Sequence, residues 1–200
     1  MTGMTYHYRK TQERMMATTS TTPAMFGQKA PDFALPATDG TIYGIGDLRG
    51  VRGLVVVFIC NHCPYVIGIT KRLVQDAATL QEMGFGFVAI SANDAEAYPE
   101  DSFENMKLFA ERHRFNFPYL YDADQSVARA YGAVCTPDFF GYDAHLGLQY
   151  QGRIDEFGRN PRPDAAASEL VDAMRHVTRT GQGPKGQMPS MGCSIKWRAT

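Results

Sequence analysis

The segment that most constrains this chain is the unbroken apolar run Leu54–Ile59 (Leu-Val-Val-Val-Phe-Ile), followed at once by Cys60-Asn61-His62-Cys63-Pro64. A run this short and this rich in β-branched side chains predicts a strand buried on both faces, as in the middle of an α/β sheet. Ile69, Leu73, Ala77 and Leu80 fall at helical spacing, so a helix is expected from Pro64 to about Met83, with Gly84 as its stop. Phe85–Ser91 (Phe-Gly-Phe-Val-Ala-Ile-Ser) then reads as a second buried strand. Strand, helix and strand in such close succession make a βαβ unit, which requires parallel pairing and a right-handed crossover.

The flanking sequence fills in a single domain. Residues 1–26 mix Met, Thr and charges without periodicity and read as a loosely attached extension. Phe33-Ala34-Leu35 and Thr41-Ile42-Tyr43, joined through Thr38-Asp39-Gly40, predict a β-hairpin. Pro99 to Ser102 opens a helix that runs to about His113, with Ser102 as N-cap. Phe117–Asp122 leads into a short helix near Gln125–Tyr131, and Asp138–Tyr142 with Leu146–Gln151 reads as a strand pair. A strongly amphipathic helix is expected over Asp164–Arg179, N-capped by Asp164. Residues 27–180 thus form the domain, and the Gly- and Pro-rich residues 181–200 read as a C-terminal tail without a regular element.

Composition narrows the chemistry. A net charge of -1, with Lys and Arg scattered, offers no basic face for nucleic acid or an anionic membrane. No apolar run approaches the roughly 18 residues of a spanning helix, and the N-terminus has no apolar secretory core, so a cytoplasmic location is expected. Four cysteines in 200 residues are too sparse for a disulfide scaffold, which leaves redox or metal chemistry.

Cys60-x-x-Cys63 stands where the buried strand ends and the helix begins. A helix N-terminus offers unpaired N–H groups and the positive end of a dipole, both of which favour the nucleophilic thiolate. Pro64 suits the first helical position, which makes Cys63 the cap, the candidate nucleophile, and Cys60 the resolving thiol. His62 would favour the thiolate further if protonated, or else be a solvated loop residue. Cys135, two residues before Pro137, is either close to the pair or a buried filler. Cys193 is either a second resolving thiol or, as slightly favoured, a bystander, with Ile195 and Trp197 able to anchor the tail. Arg153 and Asp155 either touch the site from the strand pair or, as favoured, form a surface ion pair. Asn93-Asp94 either serves ligand binding at the carboxyl end of the sheet or, as favoured, caps a loop there.

Ala30-Pro31-Asp32-Phe33, the block from Leu54 to Tyr65, Phe117–Asp122, and Thr136-Pro137 with Gly152-Arg153-Ile154-Asp155 together resemble the thioredoxin-like peroxiredoxin (AhpC/TSA) superfamily over about residues 27–180. The resemblance implies a thioredoxin fold: a central mixed β-sheet flanked by helices, here with an N-terminal hairpin and a C-terminal tail. It also implies a cis bond at Thr136-Pro137 beside the reactive cysteine. Its peroxide-reducing members carry Thr three residues, and Pro seven residues, before the cysteine that precedes Pro, whereas Cys60 and Val56 stand here. Cys63-Pro64-Tyr65-Val66 is also similar to the glutaredoxin motif, with Val66 in place of its second cysteine.

The expected site is therefore Cys63 and Cys60 with Thr136 and Pro137 beside them. The first reading is a thiol-disulfide oxidoreductase in which Cys63 attacks and Cys60 resolves. A peroxiredoxin-like peroxidase, with Cys63 oxidised to a sulfenic acid that Cys60 condenses with, is the second. The third is a copper-type metal carrier using Cys60, His62, Cys63 and a tail cysteine. The redox readings call for no bound organic cofactor; their partners are a protein or small-molecule disulfide, or a peroxide, and a cellular thiol reductant.

Overall fold

The computed structural model describes residues 18–20 and 25–199. The rest of the expected N-terminal extension lies outside the described residues. In chain order the first elements are β1 (Thr18–Ser20), β2 (Ala34–Pro36), β3 (Ile42–Gly44), α1 (Ile45–Leu48), β4 (Gly53–Phe58), α2 (Pro64–Ile67), α3 (Thr70–Glu82) and β5 (Phe85–Ser91). A 3-10 turn (Pro99–Asp101), α4 (Phe103–His113), β6 (Tyr119–Tyr121), α5 (Ser126–Tyr131) and β7 (Cys135–Thr136) follow. The chain closes with β8 (Asp138–Tyr142), β9 (Leu148–Gly152), α6 (Glu169–Thr180) and β10 (Met191–Ser194).

The central sheet runs β6-β5-β4-β8-β9. Its first three strands are parallel, and β8 and β9 are antiparallel to their neighbours. The apolar run is unbroken because β4 is covered twice. Val55 and Val57 face a layer containing Leu73 and Leu80 of α3 and Leu170 and Met174 of α6. Leu54, Val56 and Phe58 face Phe33, Val127, Tyr131 and Phe140 on the other side. Strand side chains alternate between faces, so two cores on one strand demand apolar residues at every position.

Four expectations need correction. The helix after the cysteines is interrupted at Gly68-Ile69, where a Cβ on Gly68 would sit 2.5 Å from the Arg159 carbonyl oxygen of a loop crossing above it. The last helix starts at Glu169, because the Ser168 hydroxyl, and not Asp164, accepts the Val171 N–H at 3.2 Å. The second strand of the expected pair starts at Leu148, since Leu146, at φ 59°, still belongs to the turn. The tail carries a regular element after all. Strand β10 lies antiparallel between β1 and β7, with Cys193 opposite both Thr18 and Thr136.

A buried ion network fixes the loop above α3. Arg162 meets Asp76 at 2.6 Å and Asp155 at 3.4 Å, while Arg72 meets Asp155 at 3.0 Å. The Ser168 hydroxyl also donates to Asp76 at 2.7 Å. The expected Arg153–Asp155 surface pair is thus replaced: Arg153 pairs with Glu169 at 2.6 Å, and Asp155 is buried among arginines.

Candidate active site

Strand β4 delivers Cys60 and Cys63 to the carboxyl end of the sheet, under the Thr136-Pro137 bond, which is cis. The Cys60 Sγ lies 3.4 Å from the Thr136 hydroxyl, and the Cys63 Sγ 3.2 Å from the Thr136 carbonyl oxygen. All four cysteines are free and buried. The expected quartet Cys60, Cys63, Thr136 and Pro137 is brought together, and a further member joins it. Cys193, on β10, reaches the same carbonyl edge by pairing with Thr136, and it is the leading influence that lowers the Cys63 thiol.

Cys63 is the hub of these thiols. Donation from Cys193, then donation from Cys60, outweighs the cost of burial and brings the Cys63 thiol down to about 2. The backbone N–H groups of Cys193 and Val66 lower it further. The one contact that favours the protonated form is the Thr136 carbonyl, and a single acceptor loses to two thiol donors and two N–H dipoles. The neighbours move the opposite way. Burial, then donation to Cys63, holds Cys60 well above its ordinary value, and donation to Cys63, then burial, does the same for Cys193. Burial also pushes Cys135 up; its thiol donates weakly to the Pro137 carbonyl at 3.8 Å, away from the cluster.

The expected helix-start contribution is present, with Cys63 as N-cap, Pro64 behind it and the Val66 N–H lowering its thiol, but it is not the largest. Helix α2 is a single turn, so few peptide dipoles sum at Cys63, and neighbouring thiols supply most of the stabilisation. His62 likewise faces elsewhere. Its Nδ1 lies 2.7 Å from Asp101 and its ring stacks on Tyr98 at 5.7 Å. Burial works against its charge, but the Asp101 carboxylate raises it above the ordinary histidine value.

Asp101 is the functional-site residue that sequence reasoning missed. Its fully buried carboxylate accepts the Asn61 N–H at 2.7 Å and the Asn93 side-chain amide at 2.7 Å, besides facing His62. Tyr119 donates to the Asn61 side chain at 3.0 Å, so the two residues between the cysteines are clasped between the 3-10 turn and β6. Asn93 does more than cap its loop, since it also accepts the Lys196 N–H at 2.9 Å and ties the tail to the same network. Its position just beyond β5 was the one available signal. Asp101 had none, because its partners lie eight and forty residues away.

A metal has a geometric opening: donor atoms of Cys60, His62 and Asp101 lie within 4.8 Å of one another. Each is already engaged, however, and Asp101 by three groups, so a cation would have to displace those contacts. Beside Pro137 lies a depression lined by the apolar Tyr65, Ile69, Ile154 and Met191 and by the charged Arg153, Asp155 and Glu156. Among the described residues, no helix is long and apolar enough to cross a membrane.

The model of the AhpC/TSA family matches residues 26–157. A peroxiredoxin-like protein of Mycobacterium tuberculosis is 30% identical over 171 residues, 86% of this chain and 96% of that protein. The thiol-disulfide oxidoreductase ResA of Geobacillus thermodenitrificans is 27% identical over 128 residues, 62% of this chain and 67% of its own. The crystal structure of an uncharacterised conserved protein from Geobacillus kaustophilus superposes with a TM-score of 0.82 at 41% identity, covering 92% of this chain and 98% of that one.

Proposed function

This chain belongs to the AhpC/TSA family and is a thioredoxin-fold oxidoreductase of thiol chemistry, and on that premise we propose that it is a thiol-disulfide oxidoreductase with Cys63 as nucleophile. The observation that carries the reading is the convergence of both thiols on Thr136 beside its cis bond to Pro137, with Cys63 capping a helix start. A thiolate that persists at neutral pH attacks a substrate disulfide, forming a mixed disulfide and releasing one substrate thiolate. Attack by a second protein thiol on the Cys63 sulfur expels the other substrate thiolate. The substrate disulfide is reduced by two electrons and the protein is left with a Cys60–Cys63 bond. A cellular thiol reductant restores the pair.

The Thr136 carbonyl edge and the depression beside Pro137, with both apolar and charged lining, give an extended disulfide substrate a place to lie. A peroxidase would use the same nucleophile, but the hydroxyl-bearing Thr of peroxide-reducing relatives is here the thiol of Cys60. Turnover of a protein disulfide with a dithiol reductant tests the reading. Wild type is expected to reduce it faster than it consumes hydrogen peroxide, and Cys63→Ser is expected to lose all activity. Peroxide consumption exceeding disulfide reduction would assign the peroxidase instead.

A further inference from the structure

The tail strand that covers the site also brings a reactive group to it. Cys193 is 3% exposed, lies opposite Thr136 in an antiparallel pair, and shares the buried layer that holds Cys60 and Cys63. Paired strands hold opposing Cα atoms about 5 Å apart. Since Cys63 reaches the Thr136 carbonyl at 3.2 Å, Cys63 and Cys193 both border that one residue.

The approach is built into the backbone. A Cβ on Gly192 would lie 2.0 Å from the Thr136 carbonyl oxygen, so only glycine lets β10 come this close. On its far side the tail is fastened beyond Cys193. Ile195 is buried, Lys196 N–H donates to Asn93, Arg198 N–H donates to Gln125 at 2.9 Å, and Arg129 lies over the Trp197 ring at 4.3 Å. Together these contacts hold Cys193 beside the Thr136 edge that Cys63 touches.

We propose that Cys193 is a resolving thiol of the site: it attacks the mixed disulfide on Cys63, forms a Cys63–Cys193 bond, and passes that bond on to Cys60. This rests on Cys63 being the nucleophile. In the first exchange the Cys193 thiolate bonds to the Cys63 sulfur and the substrate thiolate leaves, taking up a proton from solvent. In the second, the Cys60 thiolate bonds to the Cys63 sulfur and Cys193 leaves as thiolate, to be reprotonated. No oxidant beyond the substrate disulfide is needed, and two electrons in all pass from the protein to the substrate.

The order follows from what each thiol loses when Cys63 becomes a neutral disulfide. Donation to the Cys63 thiolate is the largest influence holding the Cys193 proton, and it disappears at that moment, while Lys196 nearby favours the charged form. Burial is the largest influence on Cys60, and it remains. Cys60 also loses its donation to Cys63 and both thiols stay buried, so the proposed order follows the leading influence on each, the lost donation for Cys193 and the lasting burial for Cys60.

The test uses the full chain, bis(2-hydroxyethyl) disulfide as probe, acid quenching and peptide mass mapping without reduction. In Cys60→Ser, the probe adduct on Cys63 is expected to vanish into a Cys63–Cys193 bond. In Cys60→Ser/Cys193→Ser, the adduct on Cys63 is expected to persist. An adduct that lasts equally long in both, or that resolves onto Cys135, overturns the proposal while leaving Cys63 as nucleophile. Absence of any Cys63 adduct in the double variant overturns the nucleophile assignment, and the relay with it. Wild type provides a reading free of any folding defect in the variants. There the Cys63–Cys193 peptide is expected before the Cys60–Cys63 peptide, and its absence at every early time overturns the proposal.

Discussion

Cys60 and Cys63 follow β4, a strand buried on both faces and paired along both edges, whereas Cys193 sits within β10, four residues long and bordered by strands of two and three residues. The first region gains its rigidity from two apolar layers. The second depends on a short ladder, a close glycine contact and the docking of Ile195 and Trp197. Short ladders open at lower cost than long strands buried on both faces. Cys63 is fully buried in the closed form, so substrate can reach it only when something moves, and β10 is the weaker of the two walls. The contrast teaches that the nucleophile is held by the stronger of the two walls, while its cover, which carries Cys193, is held by the weaker.

Substitutions on either side separate the two regions. The largest effect is expected on the rigid side. Asp76→Ala strips the buried partner from Arg162 and Ser168, and should lower global stability by about 3 kcal/mol in urea unfolding. If the loss stays below about 0.5 kcal/mol, the level of a surface pair, the network does not fix that wall. On the tail side, Gly192→Ala places a Cβ against the Thr136 backbone, with an expected loss of about 1–3 kcal/mol. Its distinguishing readout is alkylation of Cys63, which should quicken in Gly192→Ala and stay slow in wild type. Equal rates would mean that β10 is not the cover.

Much of the rigid region was legible in the sequence, and little of the tail was. The run from Leu54 to Ile59 announces a doubly covered strand because periodicity is a local signal, and Cys-x-x-Cys at its end marks the site. The Ser102 cap, whose hydroxyl accepts the Asn105 N–H at 3.4 Å, was visible for the same reason. The break at Gly68-Ile69 was not, since it answers to a loop about ninety residues on. Strand β10 was hidden by its Gly and Pro neighbours and by partners remote in sequence, which is why Cys193 read as a bystander. The source of the Cys63 acidity escaped as well, because adjacent thiols leave no spacing pattern when one lies 130 residues beyond the other.

Titration of the thiolate reaches the centre of this comparison. A thiol depressed in the folded chain contributes stability that is complete above its unfolded value and is lost as pH falls through its folded one. With Cys63 at about 2, thiolate ultraviolet absorbance is expected to stay level between roughly pH 4 and pH 8. It should disappear in Cys63→Ser and fall away at higher pH in Cys193→Ser than in wild type. A wild-type thiolate that appears only near the ordinary cysteine value, or one that survives Cys63→Ser and vanishes in Cys60→Ser, would contradict Cys63 as the ionised hub.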